Sequence, residues 1–441
     1  MNFIPQAIFI FILSVATFLI MKRLRQIRRN ILLGKETNRS DRPMERLKTM
    51  ALIALGQKKM FQRPVPALLH FFIYAGFLIV NLEILEIVID GIFGSHRIFA
   101  PILGGLYPSL INIFEFFAVA VIVACVVFLI RRNIIHVKRF EGIEMKRWPK
   151  LDANIILSIE ICLMLAFLSM NAADIVLQSR GAEHFIQTGH FFFSHFLTSM
   201  FSGLSDPQLI FIERFGWWFH ITGVLSFAVY IFQDSKHLHI FTAFPNTYYS
   251  KLDLPGKWNN MPEVTKEVNL MLNLTPANTS ATETAASPGR FGAKDVQDLT
   301  WKNLMEAYSC TECGRCTNSC PANITGKKLS PRKIMMDTRD RLEEVGRGIE
   351  KNGKDFQDGK SLFGDYISAE EIMACTTCNA CVEACPVNID PLDIIVQLRR
   401  FRIMEESQAP ASWNSMFSNI ENNFAPWKLP AADRFKWAEK L

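Results

Sequence analysis

The chain has 441 residues, 49% of them hydrophobic and 20% charged, with 36 Phe against 7 Tyr and a mean hydropathy of +0.15. Residues 1–150 carry 21 Lys and Arg against 9 Asp and Glu, a surplus of +12; the whole chain is only +6, so the remainder sums to −6. A disordered chain, a secreted disulfide scaffold and a simple soluble enzyme are excluded by this composition.

Five apolar stretches have the about 20 residues that a bilayer crossing needs. They are Phe3–Met21, Val65–Ile89, Leu110–Ile130, Ile155–Leu177 and Leu209–Phe232. The first reads as a retained anchor, because its basic cluster follows the apolar run and no small-residue cleavage site is present. Thirteen basic residues lie between spans one and two and seven between spans three and four, whereas the alternate loops hold one each, Arg97 and Arg180. Basic loops stay on the cytoplasmic side. The expected placement is therefore a bacterial inner membrane, with the N-terminus outside and everything after about residue 234 in the cytoplasm. The basic run over 22–63 adjoins two spans, so a topology signal with lipid headgroup contact is favoured over nucleic acid.

Ionisable residues inside spans are expensive and tend to be functional. His70 lies a turn into the second span, His220 midway along the fifth, and His237 and His239 at that helix's inner end. Helix two enters where helix five leaves, so His70 stands level with His237 or His239, as a bis-imidazole haem b requires. Helical phase does not choose between them: the position 18 after His220 is Leu238, and each His lies about 100° to one side. Taken singly, each His would as readily cap a helix or bond a carbonyl. Quinone reduction moves two protons with two electrons, and Glu83, Glu86 and Asp174 are the outer-side candidates for that exchange. Helix-to-helix hydrogen bonding is an equal alternative for each. His184, His190 and His195 fall in an outer Phe-rich loop and are expected to face solvent, while Cys125 and Cys162 read as core residues.

Residues 1–240 thus form a membrane domain, and 241–294 an exit segment and linker, of which Thr275–Lys294 has a flexible-linker composition. A compact domain over 295–404 follows. Its helical patterns cover Asp298–Tyr308, Pro331–Val345, Ala369–Met373 and Pro391–Met404, with no alternating strand pattern. Residues 405–441 carry Trp413, Phe417, Trp427, Phe435 and Trp437, which either pack on the chain's own surface or dock a partner.

Eight of the ten cysteines form two runs, Cys310-x2-Cys313-x2-Cys316-x3-Cys320-Pro and Cys375-x2-Cys378-x2-Cys381-x3-Cys385-Pro. This is the bacterial ferredoxin spacing, twice. Three thiolates on one tight loop reach three irons of one cluster, and the fourth reaches across to the other. The expected ligands are Cys310, Cys313, Cys316 and Cys385 for one [4Fe–4S] cluster, and Cys375, Cys378, Cys381 and Cys320 for the other. Zinc sites are disfavoured, since zinc takes pairs of ligands, and disulfides are disfavoured by a reducing cytoplasm. The long, charged and helical insert between the runs points to an all-helical ferredoxin module.

The membrane half resembles the haem b subunit of respiratory nitrate reductase and the membrane subunit of heterodisulfide reductase. The residues that carry this are the five spans, His70, His220 and the exit Ser235-Lys236-His237-Leu238-His239-Ile240-Phe241. The cysteine half is similar to the helical ferredoxin subunit of heterodisulfide reductase. The resemblance implies His239 as the haem ligand beside His70, with His237 as its neighbour. Two departures stand out. Val80 occupies the place of the second His of helix two, so one haem is expected, and a second at His220 lacks an identified partner. The Cys-Cys-Gly modules of larger fused relatives do not follow the ferredoxin part, so a separate subunit is expected to supply one.

The expected whole is all-α: a five-helix transmembrane haem b bundle followed by a cytoplasmic helical dicluster ferredoxin domain. Its expected role is to pass electrons between the (mena)quinone pool and a soluble donor, such as electron-transfer flavoprotein, or a Cys-Cys-Gly-type subunit. No dinucleotide loop, P-loop or nucleophile–base constellation is present. The alternative is a membrane anchor or redox-sensing iron–sulfur scaffold without quinone turnover. A redox-gated transporter is weakened by the lack of discontinuous, paired helices.

Overall fold

A proline stands in the first turn of each of five long helices, where its missing N–H leaves nothing unsatisfied. These are α1 (Ile4–Ile31), α2 (Pro64–Phe93), α3 (Tyr107–Asn133), α4 (Trp148–Arg180) and α5 (Asp206–Phe232) in a computed structural model that describes residues 3–233, 235–274 and 290–440. All five are long and apolar enough to cross a membrane. They coincide with the five expected spans, and no strand occurs among the described residues. Successive helices pack side by side and α5 returns to α1, closing a ring. Phe114, Val121, Met164 and Phe167 fill the contact of α3 with α4, and Phe9, Ile87 and Ile221 that of α1, α2 and α5. Large apolar side chains such as Phe11, Phe18, Leu82, Phe116 and Phe215 point outward, as lipid-facing positions do.

The cysteine domain is built from α6 (His239–Tyr248), α7 (Trp301–Tyr308), α8 (Arg315–Ser319), α9 (Pro331–Asn352), α10 (Ala380–Ala384) and α11 (Pro391–Arg400). Thr300 and Ser330 cap α7 and α9 through their hydroxyls. Leu304, Leu342, Val345, Ile394, Ile395 and Leu398 form its core. Ala293 is fully buried and its N–H bonds Gln397 O at 3.0 Å, so residues 290–294 pack with this domain. The rest of the expected linker, 275–289, lies outside the described residues. The final helix, α12 (Ala411–Asn423), and the residues after it expose Phe417, Phe424, Trp427, Phe435 and Trp437.

The two halves meet at the basic end of the bundle. The first helix continues past Met21 to Ile31, and this extension is clasped by the cysteine domain. Arg23 pairs with Glu343 at 2.8 Å, and Asn30 Nδ2 donates to Tyr308 Oη at 3.0 Å. Lys35 N–H donates to Leu299 O and Trp301 N–H to Lys35 O, at 2.7 and 3.0 Å. Only glycine suits Gly34, where a Cβ would lie 2.6 Å from Trp301 N, and Gly346, where it would lie 2.3 Å from Asn30 Oδ1. Arg332, buried, donates to Glu144 at 2.7 Å and to Arg139 O at 2.6 Å, tying α9 to the loop between α3 and α4. Part of the basic run expected to serve as topology signal is therefore domain interface.

Candidate functional site

The two cysteine runs adopt one backbone conformation twice. Two and four residues after the first Cys the chain turns left-handed, at Glu312 (φ 53°) and Gly314 (φ 70°) in the first run and at Thr377 (φ 56°) and Asn379 (φ 62°) in the second. Gly314 also has no room for a side chain, since a Cβ would lie 2.4 Å from Arg332 Nη1. The short helices that follow, α8 and α10, pack on each other. That contact sets the fourth thiol of each run beside the other run. Cys385 interacts with Cys310, Cys313 and Cys316, and Cys320 with Cys375 and Cys381.

Cys310, Cys320, Cys381 and Cys385 are buried and Cys378 is exposed. Burial pushes the Cys310 thiol up to about 11 and the Cys385 thiol up to about 12. As thiolates they need a metal to compensate their charge. Backbone N–H groups already aim at sulfur: Ile389 N–H at Cys385 Sγ, 3.3 Å, and Thr377 N–H at Cys375 Sγ, 3.4 Å. The donor set, all sulfur and in two fours, fits an iron–sulfur cube.

The first cysteine loop touches the membrane half. Glu312, buried, accepts from Lys236 Nζ at 2.6 Å and from Arg339 Nη1 at 2.8 Å. These two cations hold its carboxyl below the ordinary range against burial, which raises it. Arg315, next to Cys316, donates to Lys59 O at 3.1 Å.

His70 comes from α2, and His239 opens α6 after a short 3₁₀ turn over Lys236–Leu238. Their ring centroids lie 6.4 Å apart with the planes tilted by 37°. Two imidazoles bound to one metal, each by a bond of about 2 Å, place their ring centres about 6 Å apart. Each ring is fixed through Nδ1: His70 by Gln57 Oε1 at 3.1 Å, His239 by Lys236 O at 2.9 Å. That leaves Nε2 for a metal, the arrangement usual for ligating histidines. Burial holds His239 below the ordinary imidazole range, which favours the neutral ring that can bind a metal. His220 repeats the pattern in α5, with Nδ1 at 3.0 Å from Leu163 O and a buried Nε2 that has no partner among the described residues. His237 differs, since its buried Nδ1 has no partner among the described residues. These residues fit a haem held by two imidazoles.

The three acids expected on the outer side part company. Arg97, buried, donates to Asp174 at 2.6 Å, Asn171 at 2.9 Å and Tyr107 Oη at 3.1 Å; Tyr107 donates in turn to Glu86 at 2.9 Å. Glu86 also accepts from Phe99 N–H at 2.9 Å. Glu86 and Asp174 are thus engaged in the interhelical hydrogen bonding weighed as their alternative. Glu83 is buried nearby, and among the described residues its Oε2 and the Oδ1 of Asp174 have no partner. Reasoning on the sequence missed Gln57 and gave Arg97 and Lys236 no structural role. A lone arginine between two apolar spans was the available signal for Arg97; nothing marked Gln57.

Comparison with known proteins bears on the sulfur half first. Residues 309–389 match the 4Fe–4S dicluster domain. Along 98% of its length the chain is 27% identical to the probable iron–sulfur-binding oxidoreductase FadF of Bacillus subtilis, covering 60% of that protein. It is 27% identical to the EtfAB:quinone oxidoreductase of Syntrophomonas wolfei, over 92% of this chain and 55% of the relative. Over 24% of the chain it is 32% identical to one subunit of the ferredoxin/F420H2-dependent CoB-CoM heterodisulfide reductase of Methanosarcina acetivorans, matching 52% of that polypeptide. The chain therefore spans a little over half the length of these relatives. No solved structure matches it.

Proposed function

We propose that this chain is the membrane electron-transfer unit of an iron–sulfur quinone oxidoreductase. It passes electrons between the (mena)quinone pool and a soluble cytoplasmic donor, or a Cys-Cys-Gly iron–sulfur or flavoprotein subunit. The observation that carries this reading is the placement of the first cysteine loop against the segment that bears His239, through Glu312 and Lys236. Two [4Fe–4S] clusters and a haem b supply the one-electron chemistry when bound. Cys310, Cys313, Cys316 and Cys385 hold the cluster nearer the membrane, and Cys375, Cys378, Cys381 and Cys320 the outer one, where the exposed Cys378 faces an incoming partner. His70 and His239 hold the haem, and His220 offers a further imidazole. Glu83, with an unpartnered oxygen, is the acid retained for proton exchange with quinone, while Tyr107 holds Glu86 and Arg97 holds Asp174 through one of its two oxygens. The N-terminus lies outside and the iron–sulfur domain in the cytoplasm, as the basic loops direct. The name of the Syntrophomonas relative supports electron-transfer flavoprotein as donor and quinone as acceptor.

The test is a reduced-minus-oxidised visible spectrum of the purified chain, with haem and iron counted and a menaquinol analogue as reductant. One or two reducible b-type haems beside two clusters is the expected result. Two intact clusters without haem would replace this reading with the anchor or sensor.

A further inference from the structure

Lys236 touches both sides of the junction with different parts of itself. Its backbone carbonyl accepts the Nδ1–H of His239 at 2.9 Å, which fixes that ring. Its ammonium donates to Glu312 at 2.6 Å and to Pro149 O at 2.6 Å, and stands 3.6 Å from Asp152 Oδ2. Glu312 lies between Cys310 and Cys313 in a left-handed conformation, and its other oxygen is held by Arg339. Lys236, Glu312 and Asp152 are almost wholly withdrawn from solvent. Salt does little to screen charges so placed.

We infer that the Lys236–Glu312 ion pair is a positioning and potential-setting link between the Cys310 loop and the His70–His239 pair, tuning both centres together. This rests on the reading of those residues as cluster and haem ligands. The physical basis is Coulombic. A one-electron reduction adds a negative charge at the centre that receives it, so a nearby cation favours the reduced form and a nearby anion opposes it. The charge pair sits at the Cys310 loop, and the backbone of the same lysine holds the His239 ring. Removing Lys236 lowers both potentials, and removing Glu312 raises both. In the bundle end the two effects offset each other, so the pair holds the loop in place at little net electrostatic bias. The Cys375 site, on the other cysteine loop, moves less.

The test uses the full-length chain in lipid nanodiscs, with redox titrations followed by EPR for the clusters and by visible absorption for the haem. Lys236→Met is expected to shift the haem and the Cys310-side cluster downward, Glu312→Gln to shift both upward, and the double variant to return both towards the parent. Lys236→Arg, which keeps the charge, is expected to match the parent. If Lys236→Met loses its cofactors, the sign is read from Glu312→Gln. Unmoved potentials in variants that retain haem and clusters, or shifts of the same sign from both substitutions, overturn the inference alone. A parent chain without haem overturns the proposed function and this inference with it.

Discussion

Gln57 reaches His70 from outside the helix that carries it: the Gln57 amide oxygen accepts from His70 Nδ1 at 3.1 Å. Gln57 is itself buried, in a left-handed turn before α2. An imidazole fixed in this way presents Nε2 as its ligating atom, and loss of such an outer partner commonly costs about 10–100-fold in metal affinity. Gln57→Met is expected to lower haem retention by about that factor, measured as haem per chain after detergent washing. His237→Ala, which removes no such fixed ring, is expected to keep its haem.

The proposed crossing of the fourth cysteines gives a sharp spectroscopic expectation. Cys385→Ala and Cys310→Ala should each lose about four of eight irons and leave the same EPR spectrum, that of the Cys375-side cluster. Cys320→Ala should pair instead with Cys375→Ala. A Cys385→Ala spectrum that matches the Cys375→Ala variant would show that each run serves its own cluster.

Arg332 and Glu144 form a buried pair at 2.7 Å across the seam between the halves. Arg332→Met leaves the Glu144 carboxylate without its cation, a change that costs about 3–5 kcal/mol when both partners are buried. The expected result is earlier thermal release of the cysteine domain and faster proteolysis at the seam, with the five-helix part still in the membrane.

Asp337 supplies a pH dependence. Burial raises its carboxyl to about 6, although Lys333 at 2.6 Å draws it down. The ordinary aspartate value is near 4. As pH rises from about 4, the unfolded chain gives up this proton before the folded one does. Stability contributed by this residue therefore falls between about pH 4 and 6 and then levels off. Asp337→Asn keeps an acceptor for Lys333 and should flatten that part of the profile in denaturant titrations at a series of pH values.

Much of this architecture is legible in the sequence. The spans announce themselves because apolar density needs no tertiary context, and the sulfur ligands because their spacing is local. Helical phase fails to choose between His237 and His239 for a physical reason. It assumes one continuous helix from His220, whereas α5 stops at Phe232 and a 3₁₀ turn restarts the chain, so His239 opens a new helix facing His70. Arg23, Asn30 and Arg97 are illegible for another reason: their partners lie far away in the chain or across the bundle, and composition records no pairing. Arg97 counts as a single outer charge but proves to be the hub of a buried network.

Asn30 leaves the ribosome long before Tyr308, its hydrogen-bond partner. The segment that carries Arg23, Asn30 and Lys35 is therefore made well before the domain that covers it. Only when that domain has folded does it cover them. A chain whose C-terminal domain fails to fold keeps that polar helix end uncovered. The seam between the halves thereby makes the N-terminus report on whether the C-terminal domain has matured.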